Sequence, residues 1–199
     1  RRWSVFWIMC SRMTKSGSPS VLILPVIGMK TTNRQGNKME LINLPVRALT
    51  SENFAPFGDI IETGLGEVKL INWDITERHH ALATVQRGEG EAIISIFRSQ
   101  AVSLPYDCPM LERHPLGSQA FMPLGPDAWM TVVAPDDGGK PGQPIAFLVP
   151  AGTGINLRAG VWHGVLTPLG NPAQFLVVDR EGDGVNLEEA QITPVRITE

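Results

Sequence analysis

Residues 119–149 read QAFMPLGPDAWMTVVAPDDGGKPGQPIAFLV. Three short apolar runs, Gln119–Met122, Trp129–Ala134 and Ile145–Val149, are held apart by Pro123–Asp127 and Pro135–Gly142. In those separators Pro presets a turn dihedral, Gly supplies positive φ and Asp bonds its own backbone, so each predicts a tight turn. Runs this short, with no helical period between them, predict strands and exclude βαβ units.

The pattern continues in both directions. Strand-like runs recur at Val68–Asn72, Leu82–Gln86, Ala92–Arg98, Gly154–Leu157, Val161–Leu166, Phe175–Asp179 and Gln191–Ile197, with turn residues at Arg87–Gly90 and Gly170–Pro172. The chain's 20 Gly and 16 Pro fit that turn density. A short helix is expected at Leu49–Phe54, capped by Thr50 or Ser51, kept brief by Pro56 and ended near Gly58. Many short strands with short connections predict a sandwich or barrel. In Ala92–Arg98, Ile94, Ile96 and Arg98 share one face. Taken as interior, that face puts Arg98 at the barrel mouth.

With 43% hydrophobic and 19% charged residues in 199, the chain can bury a core. A net charge of −3 without a basic stripe excludes a nucleic-acid partner. No apolar stretch reaches the roughly 18 residues of a membrane span. Cys10 and Cys108 are far apart and in no metal-like spacing, which suits a reducing cytoplasm. Residues 1–38 differ from the rest. RRWSVFWIMC resembles a secretory signal, but Val5–Cys10 is short and no A-x-A site follows. The VLILP run is a possible extra strand, isolated by polar residues. The expectation is a foreign extension over 1–38, translated from an early start or left by cloning, and one domain over 39–199.

Chemistry concentrates around four histidines: His79, His80, His114 and His163. Glu112–Phe121 packs a carboxylate, a guanidinium, an imidazole and the Gln119 amide into one turn and strand. Gly154–His163 carries a Gly-bounded turn into a run where Val161, His163 and Val165 share one face. Glu77-Arg78-His79-His80 precedes an apolar run, and in extended backbone His79 points opposite to His80, toward solvent.

The stretch ERHPLGSQAF, Glu112–Phe121, strongly resembles the E-R-H-P-L-G-x-Q-A-F signature of ureidoglycolate lyases. Trp162-His163 resembles that family's x-W-H, Glu77-Arg78 with His80 its E-R-x-H, and Asp179-Arg180 its D-R. The resemblance runs from about Met39 to about Glu189. It implies a cupin-like β-barrel (double-stranded β-helix) with a few short helices, usually a homodimer, splitting ureidoglycolate into glyoxylate and urea in allantoin and purine catabolism. It also implies a divalent metal, nickel, and no organic cofactor. His114, Gln119 and His163 are the ligands it suggests, a weak set because an amide oxygen binds such metals poorly.

The reaction asks for three things. An arginine fork suits the substrate carboxylate; Arg78 and Arg98, then Arg113, are the candidates, with His80 and Gln119 as further substrate contacts. An imidazole of His163 or His114 suits proton transfer near neutral pH, or metal binding. Glu112 or Asp179 can shuttle a proton. Two other functions fit the same residues: a hydrolase releasing ammonia and carbon dioxide, and a non-catalytic cupin-type small-molecule binder.

Overall fold

The structure, a computed structural model, describes residues 41–199. The expected boundary after residue 38 and the VLILP run lie outside the described residues. The strands are β1 Ile42–Ala48, β2 Gly58–Ile61, β3 Glu67–Ile71, β4 Thr76–His80, β5 Glu91–Ser99, β6 Tyr106–Arg113, β7 Gln119–Pro123 and β8 Trp129–Ala134. They continue with β9 Asp136–Asp137, β10 Lys140–Pro141, β11 Ile145–Val149, β12 Gly154–Leu157, β13 Trp162–His163, β14 Thr167–Pro168, β15 Ala173–Glu181 and β16 Glu188–Thr198. The expected all-β, cupin-like architecture is present. In place of a few helices there is one among the described residues, α1 Ser51–Phe54, closed by a reciprocal capping box between Thr50 and Asn53.

One sheet closes on itself. Its strands run β8–β11–β1–β16–β6–β13 and return to β8, forming a six-strand barrel with β14 added on β8. A second sheet, in the order β2–β12–β7–β15–β5, packs against it. Strand β8 is shared property, and all six of its residues are buried. Trp129 and Val133 join Phe54, Phe121, Phe147 and Phe175 in the core between the sheets. Met130, Val132 and Ala134 join Leu44, Leu111, Trp162 and Ile197 in the core of the ring. Each large side chain buried there contributes about 1.5–3 kcal/mol. Trp129 also satisfies its indole N–H, which donates to the Thr153 carbonyl at 3.1 Å.

Several sequence expectations need correction. Leu82–Gln86 forms no strand; the Gln86 backbone exchanges bonds with Ser118, at 2.8 Å from either backbone N–H, its Oε1 accepts the Ala159 N–H at 2.9 Å, and no ladder follows. Of the Val161–Leu166 run only Trp162–His163 is strand, β13, and β14 begins after the run at Thr167. Val165 is 46% exposed and lines the same cavity as His163, as the expected shared face requires. On β5 the Ile94, Ile96, Arg98 face is the outer one, with Ile94 73% exposed. Phe97 takes the inner side and meets Phe121 edge-on at 6.4 Å. Strands β1 and β6 escaped notice because Pro45 and Pro109 read as strand breakers.

Strands β2 and β12 approach so closely that a Cβ on Gly58 would lie 2.0 Å from the Asn156 carbonyl oxygen. Gly58→Ala is expected to lower the melting temperature by roughly 3–10 °C, the cost of overpacking a paired strand. Gly125→Ala, where the added methyl meets nothing within 4 Å, should leave the circular-dichroism melt unchanged.

Candidate active site

The site begins with an irregularity in pairing. Between β6 and β16 the register shifts from Cys108 opposite Val195 to Met110 opposite Gln191, placing the bulge against Pro109. Cys108 and Leu111, three residues apart, therefore both enter the ring core, which strict alternation forbids. Beyond the bulge Leu111 and Arg113 face the ring, and Glu112 faces the space between the sheets. There Glu112 sits directly across from His163 on β13. Trp162 points the other way, into the ring core.

His114 follows β6 in the turn and completes the group. One ligand-capable atom from each of Glu112, His114 and His163 lies within 4.8 Å of the others. The two imidazole rings are 5.4 Å apart between centroids. Both rings are locked by backbone carbonyls. His114 Nδ1 donates to Asn186 O at 2.6 Å, and His163 Nδ1 to Gly164 O at 3.0 Å. A carbonyl can only accept, so Nδ1 carries the hydrogen and the neutral ring leaves a lone pair on Nε2. Both Nε2 atoms are buried and have no protein partner. Burial pushes the His163 imidazole down to about 4, with the Gly164 carbonyl opposing and His114 adding to the shift. Burial likewise raises the Glu112 carboxyl, opposed by His114 and helped by Glu189.

These groups open on a cavity of about 210 Å³ lined by Glu112, Gln119, Thr131 and His163 and walled by Phe97, Phe121, Trp129 and Leu157. Gln119 is on β7, 6% exposed, and beside it on β15 stands Asp179. The ring-locked imidazoles and a carboxylate suit a divalent transition metal better than the expected His–Gln–His set, because Glu112 replaces an amide with an anionic oxygen. Gln119 keeps a place on the cavity wall.

Other candidates lie elsewhere. Arg113 is fully engaged: it pairs with Glu188 through Nη2 and with Asp136 through Nη1, both at 2.6 Å, and stacks on Trp162 with Cζ 4.6 Å from the ring centroid. Trp162 Nε1 donates to the same Asp136 at 2.8 Å. The guanidinium thus clamps β6 to β13 and is not free to bind a substrate. Arg78 and His80 are on the β3–β4 hairpin, and Arg98 is on the outer face of β5; none of the three lines the cavity. His79 is not solvent-facing as expected. Its Nδ1 accepts the Gly64 N–H at 3.1 Å. The residue that sequence reading missed is Asp136, an exposed carboxylate in a Pro/Gly/Asp turn whose only legible signal was the turn itself.

A family model described as ureidoglycolate lyase matches residues 41–198. The chain belongs to the ureidoglycolate lyase family. It is 47% identical over 151 residues to ureidoglycolate lyase 2 of Rhizobium meliloti (strain 1021), spanning 75% of this chain and 93% of that protein. It is 51% identical over 148 residues to the ureidoglycolate lyase of Agrobacterium fabrum, spanning 73% and 89%. Among solved structures, a dTDP sugar isomerase from Desulfovibrio desulfuricans G20 aligns at a TM-score of 0.40 and 17% identity, over 68% of this chain and 85% of that one. The protein is an enzyme, a lyase acting on ureidoglycolate.

In this lyase the clamp around Arg113 is what holds the Glu112 and His163 strands in register. Arg113→Met removes two charge-assisted contacts and is expected to lower the melting temperature by about 5 °C. Arg47→Met, exposed on β1, serves as the control and should melt with the parent protein.

Proposed function

We propose that Glu112, His114 and His163 carry the cleavage of (S)-ureidoglycolate to glyoxylate and urea. The observation behind this is the pair of buried, unpartnered Nε2 lone pairs on two histidines that cluster with Glu112 within 4.8 Å, beside an apolar cavity that Glu112 and His163 line. The substrate is a carbinolamide. Its hydroxyl oxygen must lose a proton, the carbon–nitrogen bond must break, and the departing urea nitrogen must gain a proton. An imidazole Nε2 accepts the hydroxyl proton as the carbon–nitrogen bond breaks, Glu112, whose neutral form burial favours, gives its proton to the leaving nitrogen, and the imidazole proton then passes back to Glu112. With a divalent cation held by Glu112, His114 and His163, nickel in our reading, the Nε2 lone pairs would go to the ion, which would supply Lewis acidity toward the hydroxyl oxygen in place of the imidazole base.

Among the described residues no Lys or Arg lines the cavity. We assign the substrate carboxylate to Arg78 and Arg98, with His80 beside them, brought to the mouth when a second copy packs on. Two features support a homodimer. The β3–β4 hairpin exposes Trp73 and Ile75, 94% and 81% accessible, and an isolated apolar hairpin is marginally stable in water. Strand β5 ends its sheet with Ile94 and Ile96 turned outward, an edge that needs covering. Among the described residues no helix is long and apolar enough to cross a membrane. The small polar metabolites of the reaction point to the cytoplasm. We place the catalytic domain at residues 39–199, with 1–38 outside it, in keeping with a family match that starts at residue 41.

Incubation with racemic ureidoglycolate should release glyoxylate and urea in equal amounts. Ammonia and carbon dioxide in place of urea would establish the hydrolase instead. His163→Ala should fold and lose about 10²-fold or more in turnover. His79→Ala, whose ring caps a loop away from the cavity, should stay near the parent rate. Chelator treatment should remove activity, and added Ni²⁺ should restore it.

The dimer has its own test. Sedimentation of the parent protein at micromolar concentration should give twice the chain mass. Trp73→Asp combined with Ile94→Asp should give monomers.

A further inference from the structure

Asp179, beside the cavity-lining Gln119, is an acidic group that the proposed chemistry leaves without a task. It lies on β15 in phase with Phe175 and Val177, both fully buried, so its side chain points inward between the sheets. Across the ladder Val178 faces Ala120, which sets Asp179 beside Gln119, itself part of the cavity wall. The Gln119 amide donates toward the carboxylate, and His114 is close enough for its charge to act on it. Even so, Asp179 Oδ1 is buried without a protein partner. Burial outweighs these favourable neighbours and leaves the carboxyl raised above its ordinary range. Its neighbour Arg180 gives no help, since that guanidinium donates to the carbonyls of Arg87, Gly182 and Asp183.

A buried carboxylate oxygen that lacks a donor is an acceptor awaiting one. Gln119 and Asp179 belong to the five-stranded sheet, whereas Glu112 and His163 belong to the ring. The cavity therefore has two chemically different walls. The imidazole wall offers lone pairs for the hydroxyl end of a substrate. The opposite wall offers an acceptor. The ureido group has two N–H bonds, on different nitrogens, that can lie parallel on one side, and a carboxylate accepts such a pair in a two-pronged match.

We propose that Asp179 is the specificity-determining residue for the ureido group, accepting its two parallel N–H bonds and holding the leaving nitrogen between the two walls. This rests on the ureidoglycolate reading above. Gln119 acts through Asp179 as a positioning residue, keeping the carboxylate turned to the cavity.

Three competitive inhibitors isolate the interaction. N-carbamoylglycine keeps the ureido group and lacks the hydroxyl. N-acetylglycine replaces the terminal NH₂ by a methyl of similar size. Glycolate lacks the ureido group altogether. The parent enzyme should bind N-carbamoylglycine at least about 10-fold more tightly than N-acetylglycine, because a site built on an acceptor rejects an analogue that cannot donate. Asp179→Asn should erase that preference, raise KM for ureidoglycolate by a similar factor and leave glycolate inhibition within about 2-fold. Equal binding of the two glycine derivatives by the parent enzyme would overturn the proposal whether or not the variant folds. So would a uniform loss of all three inhibitors in Asp179→Asn, which would mean damage to the cavity. Failure of the parent enzyme to cleave ureidoglycolate would count against the function itself and is read separately, from glyoxylate release.

Discussion

Strand β8 has no face left for water, and the architecture follows from that. Trp129–Ala134 is buried along its whole length, so both sides of it must be covered by other strands. One side is met by the ring, through Leu111, Trp162 and Ile197, and the other by the second sheet, through Phe121 and Phe175. The functional strand β13 pairs directly with β8, His163 opposite Val133. A residue on β13 can therefore point only into one core or the other. Trp162 takes the ring and His163 takes the space between the sheets. The bulge at Pro109 gives Glu112 the same choice, and without that break in alternation its carboxylate would face the ring core, away from His163.

Pinning matters as much as placement. Each imidazole is tied by its Nδ1 to a carbonyl, and His114 is tied a second time because its own carbonyl accepts the Gly160 N–H at 2.9 Å. The loop that supplies Asn186 O also supplies Asn186 Oδ1 to the Leu116 N–H at 2.8 Å. The turn carrying His114 is thus held at both ends by one loop. Preorganisation of this kind fixes the tautomer and aims the lone pair before any substrate arrives. The Arg113–Asp136–Trp162 clamp does the same for the strands themselves, from the far side of β6.

How much of this was legible in the sequence depends on the kind of signal. Turn chemistry around Gln119–Val149 was enough to predict an all-β sandwich or barrel, because Pro, Gly and Asp act locally, and the choice of barrel came from the resemblance carried by Glu112–Phe121. The motif Glu112–Phe121 was enough to bring His114, Glu112 and Gln119 to one place, since they are near neighbours in the chain. Which face of a strand is covered was not legible. Ile94, Ile96 and Arg98 alternate as an interior face would, yet they point outward, and alternation is silent about which side meets a neighbour. Long-range pairs were equally hidden. Nothing local to Arg113 announces Glu188 or Asp136, and so a structural clamp read as a free substrate-binding guanidinium.

The distribution of unsatisfied polar atoms separates scaffold from site. Arg113, Arg180, Trp129 and Asn53 all find partners, as buried or half-buried polar groups do in a stable fold. Five buried side-chain atoms do not among the described residues, and three of them, His114 Nε2, His163 Nε2 and Asp179 Oδ1, belong to the one site. An unsatisfied buried polar group costs about 1–3 kcal/mol, and the three together are a substantial fraction of a domain's net stability. Apolar residues of similar size would pack there at no such cost. A fold that gathers three of its five unsatisfied buried atoms around Glu112 and Gln119 is arranged there around donors, or a cation, that it does not itself contain.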